Sequence, residues 1–271
     1  MGKVWLQEKR WPEIKDYLDK GGDIVLIPVG STEQHGPHLP LGTDAMVAIR
    51  LAEDAGRIAS VVSSPPLWFG WSPHHLGFPG TISVRAETVI VVVEDICRSL
   101  LHHGFKKLLI INGHRQTNLS PLLIAAMNVK QETGAFIAVV DPIFLGAGKA
   151  IKLRKSVMGS YGHGGELETS HMLFLYPELT NQKVAKKRIP RYESEFMELD
   201  FYSGGDKVAW VFDPEDMGRL SGGEGSFGDP TASTEKAGEE YHQSLVSNLV
   251  RFINDIRGMK VTVKRERLSG Q

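Results

Sequence analysis

The run Ile24-Val25-Leu26-Ile27-Pro28-Val29 leads straight into Gly30-Ser31-Thr32-Glu33-Gln34-His35-Gly36-Pro37-His38-Leu39-Pro40-Leu41-Gly42-Thr43-Asp44. A short apolar run, rich in β-branched side chains and halted by glycine, predicts a strand covered on both faces, as in a parallel sheet. Lys107-Leu108-Leu109-Ile110-Ile111-Asn112 has the same character. So does Ala135 to Val140, which stops at Asp141-Pro142, while Ser60-Val61-Val62-Ser63 is weaker.

Helical periods fall between these runs. Asp44 to Ile58 carries apolar Met46, Val47, Ile49 and Leu51, with Asp44 placed to cap its start. Ala86 to His103 ends at Gly104 and Leu119 to Thr133 at Gly134, glycine being the common helix stop. Glu166 to Tyr176 is stopped by Pro177, and Thr231 to Arg257 is a long amphipathic helix. Alternating strands and helices predict an α/β fold, a three-layer αβα sandwich with a mostly parallel central sheet. Residues 180–230 break the pattern. They hold the basic stretch from Lys183 to Arg191, then Ser203-Gly204-Gly205 and Ser221-Gly222-Gly223-Glu224-Gly225, without a period. That predicts an irregular excursion packed on the domain or a contact surface between subunits. With no repeat and no clean linker, residues 1–271 read as one domain.

Bulk properties narrow the partners. Of 271 residues 41% are hydrophobic and 23% charged, and the formal net charge is -1 with no long run of one sign. Nothing there attracts a phosphate backbone or an anionic membrane, so the expected partner is a small molecule and not nucleic acid or membrane. The lone Cys97 excludes an intramolecular disulfide and suits a reducing compartment. No stretch approaches the roughly 20 apolar residues of a membrane span, and no signal-type run opens the chain. The expected location is cytoplasmic.

Polar chemistry concentrates at strand ends. Glu33 and His35, two apart in an extended segment, point the same way, and Asp44 returns after a Gly/Pro-rich turn. In an open α/β sheet the segments leaving the carboxyl ends of strands are where ligands collect. Carboxylate, imidazole and carboxylate together suit Zn²⁺, Mn²⁺ or Fe²⁺, and an Asp can bridge two ions. Asp44 as a mere helix cap and His35 as a turn residue is the competing reading. Asn112-Gly113-His114 delivers a second histidine to the same sheet edge, where a hydrogen-bonded structural role is the alternative. In Tyr161-Gly162-His163-Gly164-Gly165-Glu166-Leu167-Glu168, glycines flank His163 and leave its ring free for proton transfer. Glu168 and His171 form a Glu-x-x-His pair; for His171 a place in the core is the favoured reading.

Taken in order, these pieces resemble the creatininase (creatinine amidohydrolase) family. The resemblance is carried by Pro28 to Pro40 with Asp44, by Asn112-Gly113-His114, and by His163-Gly164-Gly165-Glu166-Leu167-Glu168-Thr169-Ser170. Phe78-Pro79-Gly80-Thr81, Gly228-Asp229-Pro230 and Thr234-Glu235-Lys236-Ala237-Gly238 complete it. It implies a creatininase-like fold and a metal-dependent hydrolase. Glu33, His35, Asp44 and His114 match the metal ligands of one or two divalent ions, Zn, Mn or Fe, with Asp44 as the bridge. His163 matches the proton-transfer residue and Glu168 the acid beyond it. A homo-oligomer, often a hexamer in the family, is expected.

The chain also departs from that pattern. Gln116 stands where creatininase has a Glu ligand for a second metal, and Arg115 and Gly159 stand where it has aromatics beside the substrate. Arg115 offers a forked donor set for a carboxylate or several hydroxyls, a structural salt bridge being the alternative. Gln116, Trp71 and His75 are the other expected substrate contacts. Creatinine is therefore not the expected substrate. A small cyclic amide or formamide is the first expectation and an oxidised cyclic polyol the alternative. A non-catalytic binding or assembly protein is the reading from a different class. No G-x-S-x-G supports a serine nucleophile, and no G-x-G-x-x-G supports a dinucleotide enzyme.

Overall fold

The computed structural model describes residues 3–202, 208 and 210–264. Four strands, β1 (Ile24–Val29), β2 (Val62–Ser63), β3 (Lys107–Asn112) and β4 (Phe136–Val140), form one sheet in the order β2-β1-β3-β4. All pairings are parallel. The helices are α1 (Trp11–Asp19), α2 (Thr43–Ala59), α3 (Ala86–His103), α4 (Arg115–Thr133), α5 (Pro142–Leu153), α6 (Glu166–Leu175), α7 (Pro214–Ser221) and α8 (Glu235–Arg257).

Successive strand side chains point to opposite faces, and the core divides accordingly. Ile24, Leu26, Leu109 and Ile111 pack with Leu51 and Ala55 of α2 and Leu245 and Leu249 of α8. Val25, Ile27, Leu108 and Ile110 pack on the other face with Val93 and Cys97 of α3 and Leu122 and Val129 of α4. This is the expected αβα sandwich, with every residue of β1 and β3 buried. None of the described helices is long and apolar enough to cross a membrane.

Element bounds differ from the sequence expectation where a cap or packing decides. Asp44 is not the cap of α2. Gly42 holds that position, and Asp44 is a helical residue with its carboxylate buried. Helix α4 begins at Arg115 and runs through Pro121. Helix α8 begins at Glu235, because the Thr234 side chain accepts from the Ala237 N–H and caps it there.

The described part of the excursion 180–230 has its own apolar cluster, apart from the two that cover the sheet faces. It carries α7, and the small cluster is made of Leu199, Met217, Leu220 and Phe227. A buried ion pair, Arg154 to Asp200 at 2.5 Å, ties it to the segment before His163. The predicted Ser203-Gly204-Gly205 loop lies outside the described residues.

Candidate active site

Parallel strands put three carboxyl ends on one edge, so Gly30, Gly113 and Asp141 open onto the same side. Close approach there requires glycine. A Cβ on Gly30 would lie 2.3 Å from the Ala45 Cα, and one on Gly113 would lie 2.1 Å from the Asp44 carbonyl oxygen. The first turn of α2 thus rests directly on both strand ends and carries Asp44 between Glu33 and His114.

Glu33 is fully buried. Its Oε1 lies 3.2 Å from His75 Nε2 and 3.2 Å from His114 Nδ1, with His163 Nδ1 at 3.9 Å. These nitrogens are near enough for ion pairing but not aligned for hydrogen bonds, and both Glu33 oxygens have no hydrogen-bond partner among the described residues. Asp44 spans two histidines, Oδ1 lying 3.1 Å from His35 Nε2 and Oδ2 3.1 Å from His114 Nδ1.

The outer nitrogens of these histidines define their tautomers. Thr117 donates its hydroxyl to the Trp71 carbonyl, so it accepts from His114 Nε2 at 2.6 Å. His35 Nδ1 lies 3.2 Å from the Glu33 carbonyl oxygen, which can only accept. Each ring spends one N–H on an outer acceptor, as metal-ligating histidines do. The other nitrogen of each then faces a carboxylate oxygen at 3.1 Å. A lone pair there would repel the anion, so each contact calls for a positive charge, supplied by a second ring proton or by a bound cation.

Electrostatics tell the same story. Burial alone would depress His35, but the charge and hydrogen bond of Asp44 raise it to about 9. Burial likewise opposes charge on His114, and Glu33 and Asp44 raise it well above the ordinary histidine value. Glu33 is held well below the carboxylate range, His114 and His75 overcoming its burial. Oxygen and nitrogen donors of Glu33, Asp44 and His114 lie within 4.8 Å of one another, as do those of Glu33, His35 and His163 and those of His35, Asp44 and Glu168. The unpartnered oxygens and the donor chemistry fit a divalent metal.

His163 is set between two rings, with centroids 4.2 Å from both His35 and His75. Burial and then those two neighbours push its pKa well below the ordinary value. Its Nε2 lies 2.6 Å from the Gln34 carbonyl and so carries the proton, which leaves Nδ1 as the free base. Burial lifts Glu168 to about 7, while its Oε2 accepts from the Gly164 N–H at 2.6 Å.

Both groups line a cleft that also takes in His75, His114, Arg115 and Gln116. Trp71 does not reach it: its side chain packs against the core on the α3–α4 face. His171 reaches the cleft wall yet is anchored in the core, its Nε2 lying 2.9 Å from His242 Nδ1 and His242 Nε2 3.0 Å from Asp54. Among the cleft residues that the sequence did not point to as site residues are Asp141, Tyr241 and the excursion's Phe212 and Met217. Only Asp141 had a usable signal, standing at the end of a recognised strand.

The family model for creatininase (creatinine amidohydrolase) matches residues 7–253. The chain belongs to the creatininase family. It is 30% identical over 273 residues to 3-dehydro-scyllo-inosose hydrolase of Thermotoga maritima, covering 93% of this chain and 83% of that one. It is 32% identical over 232 residues to the mycofactocin precursor peptide peptidase of Mycolicibacterium smegmatis, covering 83% and 81%. The fold matches the crystal structure of creatinine amidohydrolase with a TM-score of 0.81 at 22% identity, over 96% of this chain and all of that one. Solved creatininases include a Zn–Zn form and a manganese form. The protein is a creatininase-family hydrolase, and the expected fold and family both stand.

Proposed function

We propose that this protein is a metal-dependent hydrolase that opens a small cyclic substrate beside a carbonyl, with Glu33, His35, Asp44 and His114 holding Zn²⁺, Mn²⁺ or Fe²⁺. One observation carries the reading: the inner nitrogens of His35 and His114 face buried carboxylate oxygens at 3.1 Å while their outer nitrogens are spoken for. A divalent ion in such a set supplies Lewis acidity, lowering the pKa of water toward neutrality and polarising a carbonyl. Related creatininases in Zn–Zn and manganese forms support one or two ions. The place of the missing second carboxylate, at Gln116, is supported by Glu168, which shares a donor group with His35 and Asp44.

The chain's own groups move the proton. His163 is kept neutral by burial and by its two histidine neighbours, and its Nδ1 takes a proton and returns it to the leaving atom. Glu168, raised by burial to about 7, stands beyond it as a group that gains and loses a proton near neutrality. Arg115, Gln116 and His75 line the cleft and orient the substrate. A C–N bond in a cyclic amide or formamide is the first reading, and the peptidase relative supports amide chemistry. Opening of an oxidised cyclic polyol is the second, supported by the inosose hydrolase relative and by Trp71 standing off the cleft. As for assembly, the packed pair α3 and α4 exposes Val91, Val92, Leu123, Ile124 and Met127, apolar surface on which a homo-oligomer, a hexamer among others, would close.

Elemental analysis of wild type beside His35→Ala tests the site. About one or two divalent ions per chain, lost in the variant together with turnover, is the expected result. Wild type that takes up neither Zn²⁺ nor Mn²⁺ would refute it and favour a binding protein on the same fold.

A further inference from the structure

The cleft holds a second pair of charged groups that the metal centre does not use. Asp141 follows β4, and its Oδ1 accepts from the Ile143 N–H at 2.9 Å, capping α5. Its Oδ2 is buried and has no hydrogen-bond partner among the described residues. Across from it, Nη1 of Arg115 is also buried without a partner. The two atoms lie 3.9 Å apart, beyond hydrogen-bond range. The side chain of Asp141 is 2% exposed and that of Arg115 30%. The guanidinium is steadied from another side, its Cζ standing 4.0 Å from the centre of the Phe144 ring. Both residues line the same cleft as His114, His163 and Glu168.

Buried polar atoms in native proteins are satisfied, and exceptions in a cleft point to a ligand. Here a donor and an acceptor, paired by charge at 3.9 Å, each lack a hydrogen bond. The group that satisfies both is a hydroxyl, accepting from Arg115 and donating to Asp141, with one oxygen about 2.8 Å from each atom. We propose that Arg115 and Asp141 form a hydroxyl-recognition pair that selects a neutral, hydroxylated ring as the substrate class. This rests on the hydrolase reading above and decides between its two substrate chemistries.

The pair also rejects the alternatives. A carboxylate that engages Arg115 meets the negative charge of Asp141. A cation that engages Asp141 meets Arg115. A flat ring without hydroxyls leaves the ion pair at 3.9 Å with both facing atoms short of a hydrogen bond, the situation in which polar sites discriminate most strongly. Asp141 therefore converts an arginine suited to carboxylates into one that reads alcohols.

Calorimetric titration of the metal-loaded full chain tests this with scyllo-inositol and cyclohexanecarboxylate as probes. Wild type should bind the polyol and not the carboxylate. Asp141→Asn retains the oxygen that caps α5 but turns the free acceptor into a donor. It should bind the polyol at least about tenfold more weakly and gain affinity for the carboxylate, with an unchanged melting temperature. Arg115→Met should weaken the polyol in both backgrounds. Polyol affinity unchanged by Asp141→Asn, carboxylate binding to wild type at least equal to that of the polyol, or no polyol binding by wild type would each overturn the pair. Metal content of the same samples judges the hydrolase reading separately. Polyol binding that depends on Asp141 in a chain that holds no metal would refute that reading and leave the pair standing.

Discussion

Replacing Asp200 by alanine should loosen the excursion and the proton-transfer segment together. The two carboxylate oxygens accept from Arg154 at 2.5 and 2.6 Å. The same carboxylate accepts the backbone N–H groups of Gly159 at 2.8 Å, Tyr161 at 3.1 Å and Tyr202 at 3.0 Å. The Asp200 side chain is fully buried and that of Arg154 only 10% exposed, its cation lying 4.1 Å over the Tyr161 ring. Alanine leaves that cation buried without its counter-charge, a change that costs about 3–5 kcal/mol. In a chain of this size each kcal/mol moves the melting temperature by about 2–4 °C, so a fall of roughly 6–20 °C is expected. Burial opposes ionisation of Asp200, but the Arg154 bonds and the backbone N–H groups hold it below its ordinary value. A carboxyl depressed on folding stabilises above its unfolded pKa near 4, and that contribution is lost as pH falls through the lower folded value. Scanning calorimetry of both proteins from pH 7 to pH 3 measures the difference. It should be full at pH 7, hold to about pH 4, and shrink only below that. A fall under about 2 °C at pH 7, or a gap that closes between pH 7 and pH 5, would refute the reasoning. Tyr161 stands two residues before His163, so turnover should drop with stability.

Two further substitutions probe the frame around the site. Gly113→Ala places a Cβ 2.1 Å from the Asp44 carbonyl oxygen, backbone against backbone; the first turn of α2 must move off the sheet edge. Stability should fall by about 1–3 kcal/mol and metal content with it, and a variant that binds metal normally would contradict that contact. His242→Leu removes the partner of His171 Nε2 and one of the two partners of Asp54 Oδ2, Arg50 being the other, at a cost of about 1–3 kcal/mol in urea titration. Because the orphaned imidazole is the source of that cost, His171→Leu added to it should recover much of the loss. A double variant as unstable as the sum of the singles would show that the two rings act independently.

What could be read from sequence is what one element encodes within itself. β1 and β3 match their predicted bounds because an apolar run between polar stops has one comfortable environment, the middle of a parallel sheet. Helix α3 matches from Ala86 to His103 because Gly104 takes the left-handed conformation that ends it, with φ 118°. Glu33, His35 and His114 could be placed at one edge because each follows a strand and parallel strands share an edge, whereas the full set with Asp44 came from the resemblance to the family's motifs. Distances between elements were beyond that kind of reading. Asp44 looked like a cap, yet Gly42 takes the cap position of α2 and leaves the carboxylate for the cleft. His75 reaches Glu33, and Trp71 turns into the core, only because of how their loop folds back on the sheet. Arg115 and Asp141 meet because β4 lies beside β3. Neither residue's neighbourhood in sequence carries a trace of the other. Local periodicity is set by backbone geometry over a few residues, whereas the meeting of charged groups is set by strand order and by which loops the core leaves room to pack. That part of the protein belongs to the tertiary structure alone.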